Sequence, residues 1–208
     1  MKINPPLRPN SKAMRPALNN QEHLPPESLK KWELLRSDTV IKDRWITLRA
    51  DTCRTADGHE VKPYYILENP DWTVILASNT QGEMILVQQY RHGIQEVVNE
   101  FPAGNIDAGE HDIEESARRE MREETGYTGG EWKYVRSMPV NPARQTAFCH
   151  VVLATGLKKT HEIMQSSSEE IRMFYKTPQE LEIMIQRGEF NHPHHIAAWS
   201  LYKNQFLK

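Results

Sequence analysis

Glu120, Glu123 and Glu124 have the most pointed chemistry in this 208-residue sequence. On a helix over 113–125 they stand at i, i+3 and i+4 and so share one face. At about 100° per residue Glu124 projects between Ile113 and Ala117, inside the arc that must pack on the rest of the protein, so a charge is aimed at the core. The three acids also crowd the last turns, where the helix dipole is already negative, and Glu120 repels Glu124 across one turn, each effect costing about a few tenths of a kcal/mol. A divalent cation removes all three penalties at once, because hard cations such as Mg²⁺ take oxygen ligands. Arg119 is placed beside Glu120 to hold a carboxylate in a ligating orientation. The competing reading is an ordinary solvated Glu-rich face, which is how Glu114 and Glu115 are read.

The helix that must carry these acids has its own signals. Asp112 followed by Glu115 reads as a capping box, Ile113, Ala117 and Met121 recur at four-residue spacing, and Gly126 stands where a left-handed cap ends the helix. Upstream the pattern is β. Ile46–Asp51 alternates, Asp57-Gly58 turns, and Val61–Leu67 returns. Thr73–Ser78 and Met84–Tyr90 form a second pair about the Asn79–Gly82 turn. Strands are expected at 133–137, 148–154 and 171–175, the last with Ile171, Met173 and Tyr175 facing inward. Thr177-Pro178-Gln179-Glu180 opens a second helix that ends at Gly188, and a third runs from Pro193 or His194 toward the C-terminus. The mixture is α+β.

Residues 1–28 hold six of the 13 prolines and read as a flexible tail. A β-rich region at 29–68 and a main domain at 69–208 follow. With 26 basic and 28 acidic residues the formal charge is −2, which gives no global field for nucleic acid. No apolar run reaches membrane-spanning length and no secretory signal is visible, so a cytoplasmic protein is expected. Cys53 and Cys149 lack paired metal or disulfide spacing and read as reduced, buried thiols. His192-Pro193-His194-His195 looks like a zinc cluster, but the helical pattern after it makes these exposed residues at a helix start.

Gly104-x5-Glu110 followed by Arg119-Glu120-Met121-x-Glu123-Glu124-x-Gly126-Tyr127 resembles the Nudix box, G-x5-E-x7-R-E-U-x-E-E-x-G-U, with eight residues in place of seven between Glu110 and Arg119. Gln89-Tyr90-Arg91, Glu100-Phe101-Pro102-Ala103-Gly104, Ile106-Asp107 and Glu169-Glu170-Ile171 resemble the ADP-ribose/ADP-sugar pyrophosphatase branch. The resemblance implies a Nudix α/β/α sandwich around a mixed sheet, with a small β-rich N-terminal region that helps build a homodimer. It further implies hydrolysis of a nucleotide-sugar pyrophosphate with Mg²⁺ or Mn²⁺. The metal ligands would be Glu120, Glu124, Glu123 and the Ala103 carbonyl, with Gly104 small for close approach to metal or phosphate.

Arg91 suits a diphosphate, since a guanidinium matches phosphate oxygens in bidentate fashion, and Glu100 accompanies it in the motif. Arg144, in a polar loop between strands, is a candidate clamp. Trp45, Tyr64 and Tyr65 lie where this branch supplies adenine-stacking aromatics; core packing is the alternative for each. The same branch places a catalytic glutamate before the 171–175 strand. If Ile171 faces inward then Glu169 shares its side, and Glu169 rather than Glu170 is the expected general base. Two alternatives stay open: a nucleoside-triphosphate pyrophosphohydrolase, and a Nudix-fold module that senses a nucleotide sugar without cleaving it.

Overall fold

The computed structural model describes residues 29–164 and 170–207. They divide into two compact units, residues 29–69 with Ala143–Thr146, and Pro70–Pro142 with Ala147 onward.

The first unit is a three-stranded antiparallel sheet of β1 (Glu33–Lys42), β2 (Thr47–Arg54) and β3 (Glu60–Leu67), with β2 in the centre. The Asp57-Gly58 turn joins β2 to β3 as expected, with Gly58 in the left-handed region at φ 86°. Residues 143–146 attach to the edge of β3: Leu67 and Gln145 form a parallel bridge, and the Leu67 N–H donates to the Arg144 carbonyl at 2.8 Å. Asp51 is buried at the centre of this sheet, where it accepts from Ser37 at 2.6 Å and from Arg49 at 3.1 Å.

The second unit is built on β4 (Trp72–Asn79), β5 (Met84–Arg91), β6 (Glu96–Glu100), β7 (Ala103–Asn105), β8 (Tyr127–Thr128), β9 (Glu131–Pro139), β10 (Phe148–Lys159) and β11 (Ile171–Lys176), an eight-stranded sheet. β10 runs parallel to β4 and the other pairs are antiparallel, which makes the sheet mixed. Thr73–Ala77 is wholly buried, as a strand covered on both faces must be. Val74 and Leu76 join the core that contains Leu181 and Met184 of α2 (Pro178–Gln186) and Ala198 and Trp199 of α3 (Pro193–Tyr202). Alternation along the strand turns Ile75 and Ala77 to the other face, where α1 (Ile113–Thr125) buries Ile113, Ala117 and Met121. Among the described residues no helix is long and apolar enough to cross a membrane.

The helix ends are capped where expected, though at Asp112 only the Asp half of the expected capping box is present among the described residues. The Asp112 carboxylate accepts from the backbone of Glu114 and Glu115, Gly126 closes α1 at φ 74°, and Thr177 with Glu180 forms a reciprocal capping box.

Three expectations are corrected. Tyr175 is exposed and hydrogen-bonds Tyr127 at 2.9 Å, whereas Phe174 packs on the core, so β11 does not present Ile171, Met173 and Tyr175 as one buried face. Cys149 is buried but Cys53 is only partly so, because it lies on the small sheet. The histidines at the start of α3 are not exposed: His195 is wholly buried and His192 and His194 are partly so, because all three gather round Trp72. β6 and β7, which have no strong sequence signal, carry the chain into the site.

Candidate active site

β6 pairs with β5, and β7 pairs with β4 through Val74–Ala103, Thr73–Gly104 and Trp72–Asn105. The chain therefore steps from one strand to the next at Phe101-Pro102, and Ala103-Gly104 emerges against α1. The Ala103 N–H donates to Glu124 Oε2 at 3.1 Å. A Cβ on Gly104 would fall inside the Glu120 carboxylate, so only glycine lets that acid lie flat against the strand. Glu120 and Glu124 thus converge on one two-residue stretch of backbone. The close approach expected of Gly104 is to the carboxylate itself.

Arg119 organises the remaining acids. Its Nε donates to Glu110 at 2.8 Å, Nη1 to Glu120 at 2.7 Å and to Glu123 at 3.3 Å, and Nη2 to the Asn105 carbonyl at 3.0 Å. Glu110 also accepts from Ser116 at 2.8 Å and from the Asp107 N–H at 2.9 Å. The Arg119 hydrogen bond, ahead of these two, pulls the Glu110 carboxyl down to about 2. The Glu110 hydrogen bond, with the Glu120 carboxylate beside it, pushes the Arg119 pKa upward in turn. With eight residues between them, Glu110 and Arg119 are still in direct contact.

Glu123 is drawn to Arg119 and lies 3.9 Å from Arg122. Among the described residues no three His, Cys, Asp or Glu side chains form a ready metal cage. The donor set still fits a hard divalent cation: two carboxylates meet beside exposed-edge backbone at a glycine cradle, and a third acid stands one turn away.

Arg91 and Glu100 are brought together. Arg91 Nε donates to Glu100 at 3.0 Å and Nη2 makes a second, short contact with the same carboxylate, which is 1% exposed. The fork expected to meet a diphosphate is thus oriented by a buried acid.

In the first unit Arg144 lies over the Tyr64 ring at 5.0 Å, Tyr64 donates to the Ala143 carbonyl at 2.7 Å, and Trp32 meets the Tyr64 ring edge-on at 6.0 Å. Trp45 is exposed, with Arg44 over its ring at 4.4 Å. Tyr64 and Arg144 are therefore one cluster, and Trp45 is not shown in it. Glu169 lies outside the described residues. The segment before it returns to α1: the Thr160 and His161 N–H groups donate to the Gly126 carbonyl, and Met164 N–H to that of Glu123 at 2.9 Å.

Sequence reasoning missed His195, whose Nδ1 accepts from the Phe101 N–H at 2.9 Å. The signal available was a histidine leading directly into an apolar run, Ile196-Ala197-Ala198-Trp199, with Trp199 four residues on.

Comparison with known proteins agrees with this geometry. Residues 68–199 match the NUDIX domain and residues 32–67 the nucleoside diphosphate sugar hydrolase N-terminal domain. The chain is 31% identical over 136 residues to the ADP-ribose pyrophosphatase of Bacillus subtilis (strain 168), covering 65% of this chain and 72% of that one. It is 26% identical over 185 residues to the ADP compounds hydrolase NudE of Escherichia coli (strain K12), covering 88% and 96%. A crystal structure of an ADP compounds hydrolase superposes with a TM-score of 0.76 at 21% identity, over 86% of this chain and 96% of that one, a likeness of fold. With Glu120 and Glu124 of its box meeting at Ala103-Gly104 and the family's domain spanning more than half its length, the chain belongs to the Nudix family.

Proposed function

We propose that this chain hydrolyses the pyrophosphate of ADP-ribose or a related nucleotide sugar to a nucleoside monophosphate and a sugar phosphate. The observation that carries the reading is the convergence of Glu120, held by Arg119, and Glu124 on Ala103-Gly104. Glu120, Glu124, Glu123 and the Ala103 carbonyl hold a divalent cation, Mg²⁺ or Mn²⁺, which when bound supplies Lewis-acid stabilisation of charge on phosphate oxygens. Arg119 keeps Glu120 oriented. Arg91, aligned by Glu100, binds the diphosphate; Tyr64, Trp45 and Arg144 contact the nucleoside and its phosphates. Glu169 accepts the proton of the attacking water, supported by the return of residues 160–164 to the end of α1 and by a catalytic glutamate before this strand in the branch the chain resembles.

The chain works as a homodimer in the cytoplasm, a reading supported by the large apolar side chains on the first unit and by two free cysteines. Steady-state kinetics over a panel of nucleotides test the substrate class. Higher kcat/KM for ADP-ribose, or another ADP- or GDP-linked sugar, than for any nucleoside triphosphate is expected. A panel led by a triphosphate would make it a triphosphate pyrophosphohydrolase, and saturable binding without turnover would make it a sensor.

A further inference from the structure

His195 stands on α3, away from the box helix. Its ring is wholly buried, tilted 19° from the Phe101 ring at 6.1 Å and packed near Phe190 and Trp72. Nδ1 accepts from the Phe101 N–H, so the proton of the neutral ring sits on Nε2, and Nε2 has no hydrogen-bond partner among the described residues. Burying an unsatisfied N–H is costly, and a phenylalanine would fill this aromatic site without that cost. What the imidazole alone provides is the acceptor.

The acceptor meets a specific need. β6 ends at Glu100 on β5 and β7 begins at Ala103 on β4, so Phe101 lies at the step between two ladders. The chain there hangs on successive hydrogen bonds: Phe101 N–H to His195, Ile75 N–H to the Pro102 carbonyl at 2.9 Å, and Ala103 N–H to Glu124. Pro102 has no N–H to give, so loss of the His195 bond leaves the step with no N–H anchored before Ala103. Burial, joined by the charges of His192, Arg91 and His194, holds the His195 pKa well below the usual histidine value, which keeps the ring a neutral acceptor.

We infer that His195 is a positioning residue: through the Phe101 N–H it sets where Ala103-Gly104 meets Glu120 and Glu124, and thereby sets the affinity of that site for its divalent cation. This rests on the metal reading above. The test is Mn²⁺ titration of the full chain without substrate, followed by the electron paramagnetic resonance of free Mn²⁺, for the wild type, His195→Phe and His195→Asn. His195→Phe keeps the ring and removes the acceptor; His195→Asn offers its Oδ1 near the place of Nδ1. A support outside the ligand shell is typically worth 10–100-fold, so His195→Phe is expected to raise the Mn²⁺ Kd by about 10-fold or more and His195→Asn to recover most of it. Equal Kd values for wild type and His195→Phe overturn the inference, and a wild type that binds no Mn²⁺ overturns the metal reading itself. Should His195→Phe fail to fold, the ¹⁵N spectrum of the wild-type imidazole decides: an unprotonated, hydrogen-bonded Nδ1 is expected, and a proton on Nδ1 overturns the assignment.

Discussion

In β4 of the second unit, Thr73–Ala77 has no exposed surface at all, whereas in β1 of the first unit every residue but Leu35 is exposed. The first unit also leaves Trp45 at 78% and Trp32 at 50% of full exposure. A three-stranded sheet has too little interior to bury such side chains, while the eight-stranded sheet is covered by helices. The contrast separates two kinds of function. The second unit supplies a rigid frame that can hold carboxylates against their mutual repulsion, and the first supplies a surface whose apolar groups are disposed to meet a partner or a substrate.

The strongest way to test the frame is to remove the charge it holds. Glu120→Gln and Glu124→Gln are each expected to lower kcat by about 10²–10³-fold, since loss of metal stabilisation is worth several kcal/mol. The fold persists because a glutamine at 124 still accepts from the Ala103 N–H. Circular dichroism should show Tm unchanged or raised, as a repulsion is relieved; normal turnover in both variants would remove the acids from the mechanism.

A smaller blow to the same frame is Gly104→Ala. The added Cβ strikes the end of a flexible side chain, so unfolding should change by less than about 1 kcal/mol, but Glu120 must move, and misplacement of this order costs about 10–100-fold in kcat/KM. A loss of stability larger than the loss of activity would show that the glycine serves folding instead.

The surface half of the comparison is tested by light scattering. The wild type is expected at twice the 24.2 kDa of one chain, and Trp32→Ser with Trp45→Ser is expected to shift it toward the monomer with little change in Tm. A monomeric wild type at concentrations well above assay conditions contradicts the dimer.

The smallest effect is electrostatic. Glu110 has a depressed folded pKa, so its contribution is present above the usual glutamate value of 4.5 and is lost as pH falls toward about 2. After solvent screening it is worth about 1 kcal/mol. Denaturant melts of Glu110→Gln should therefore be less stable than wild type at pH 6 and converge with it near pH 2; parallel curves would contradict the pairing with Arg119.

How much of this was legible beforehand follows from range. The α1 helix, its caps and its carboxylate face are local patterns at fixed spacing, as are the turns at Asp57-Gly58 and Asn79–Gly82, and all are found. The meeting of Glu124 with Ala103, of Arg91 with Glu100 and of Tyr64 with Arg144 depends on strand pairing; local pattern singles out Glu124, Arg91 and Arg144, but only a family likeness pointed to Ala103, Glu100 and Tyr64. The exposed reading of His192–His195 failed because a cluster of polar symbols at a helix start carries no record of Trp72 or Phe101, residues distant in sequence that enclose it. The alternation of β11 points to one buried face, but Ile171 and Phe174, an odd and an even position, both find cover.

The central claim, that acids of α1 gathered at Ala103-Gly104 drive hydrolysis of a nucleotide-sugar pyrophosphate, is tested most directly by product analysis. ADP-ribose is incubated with Mg²⁺ and the wild type or Glu124→Gln, and the products are resolved by chromatography. The account predicts AMP and ribose 5-phosphate in equal amounts from the wild type and almost none from the variant; intact ADP-ribose with wild-type protein, or equal yields from both, would contradict it.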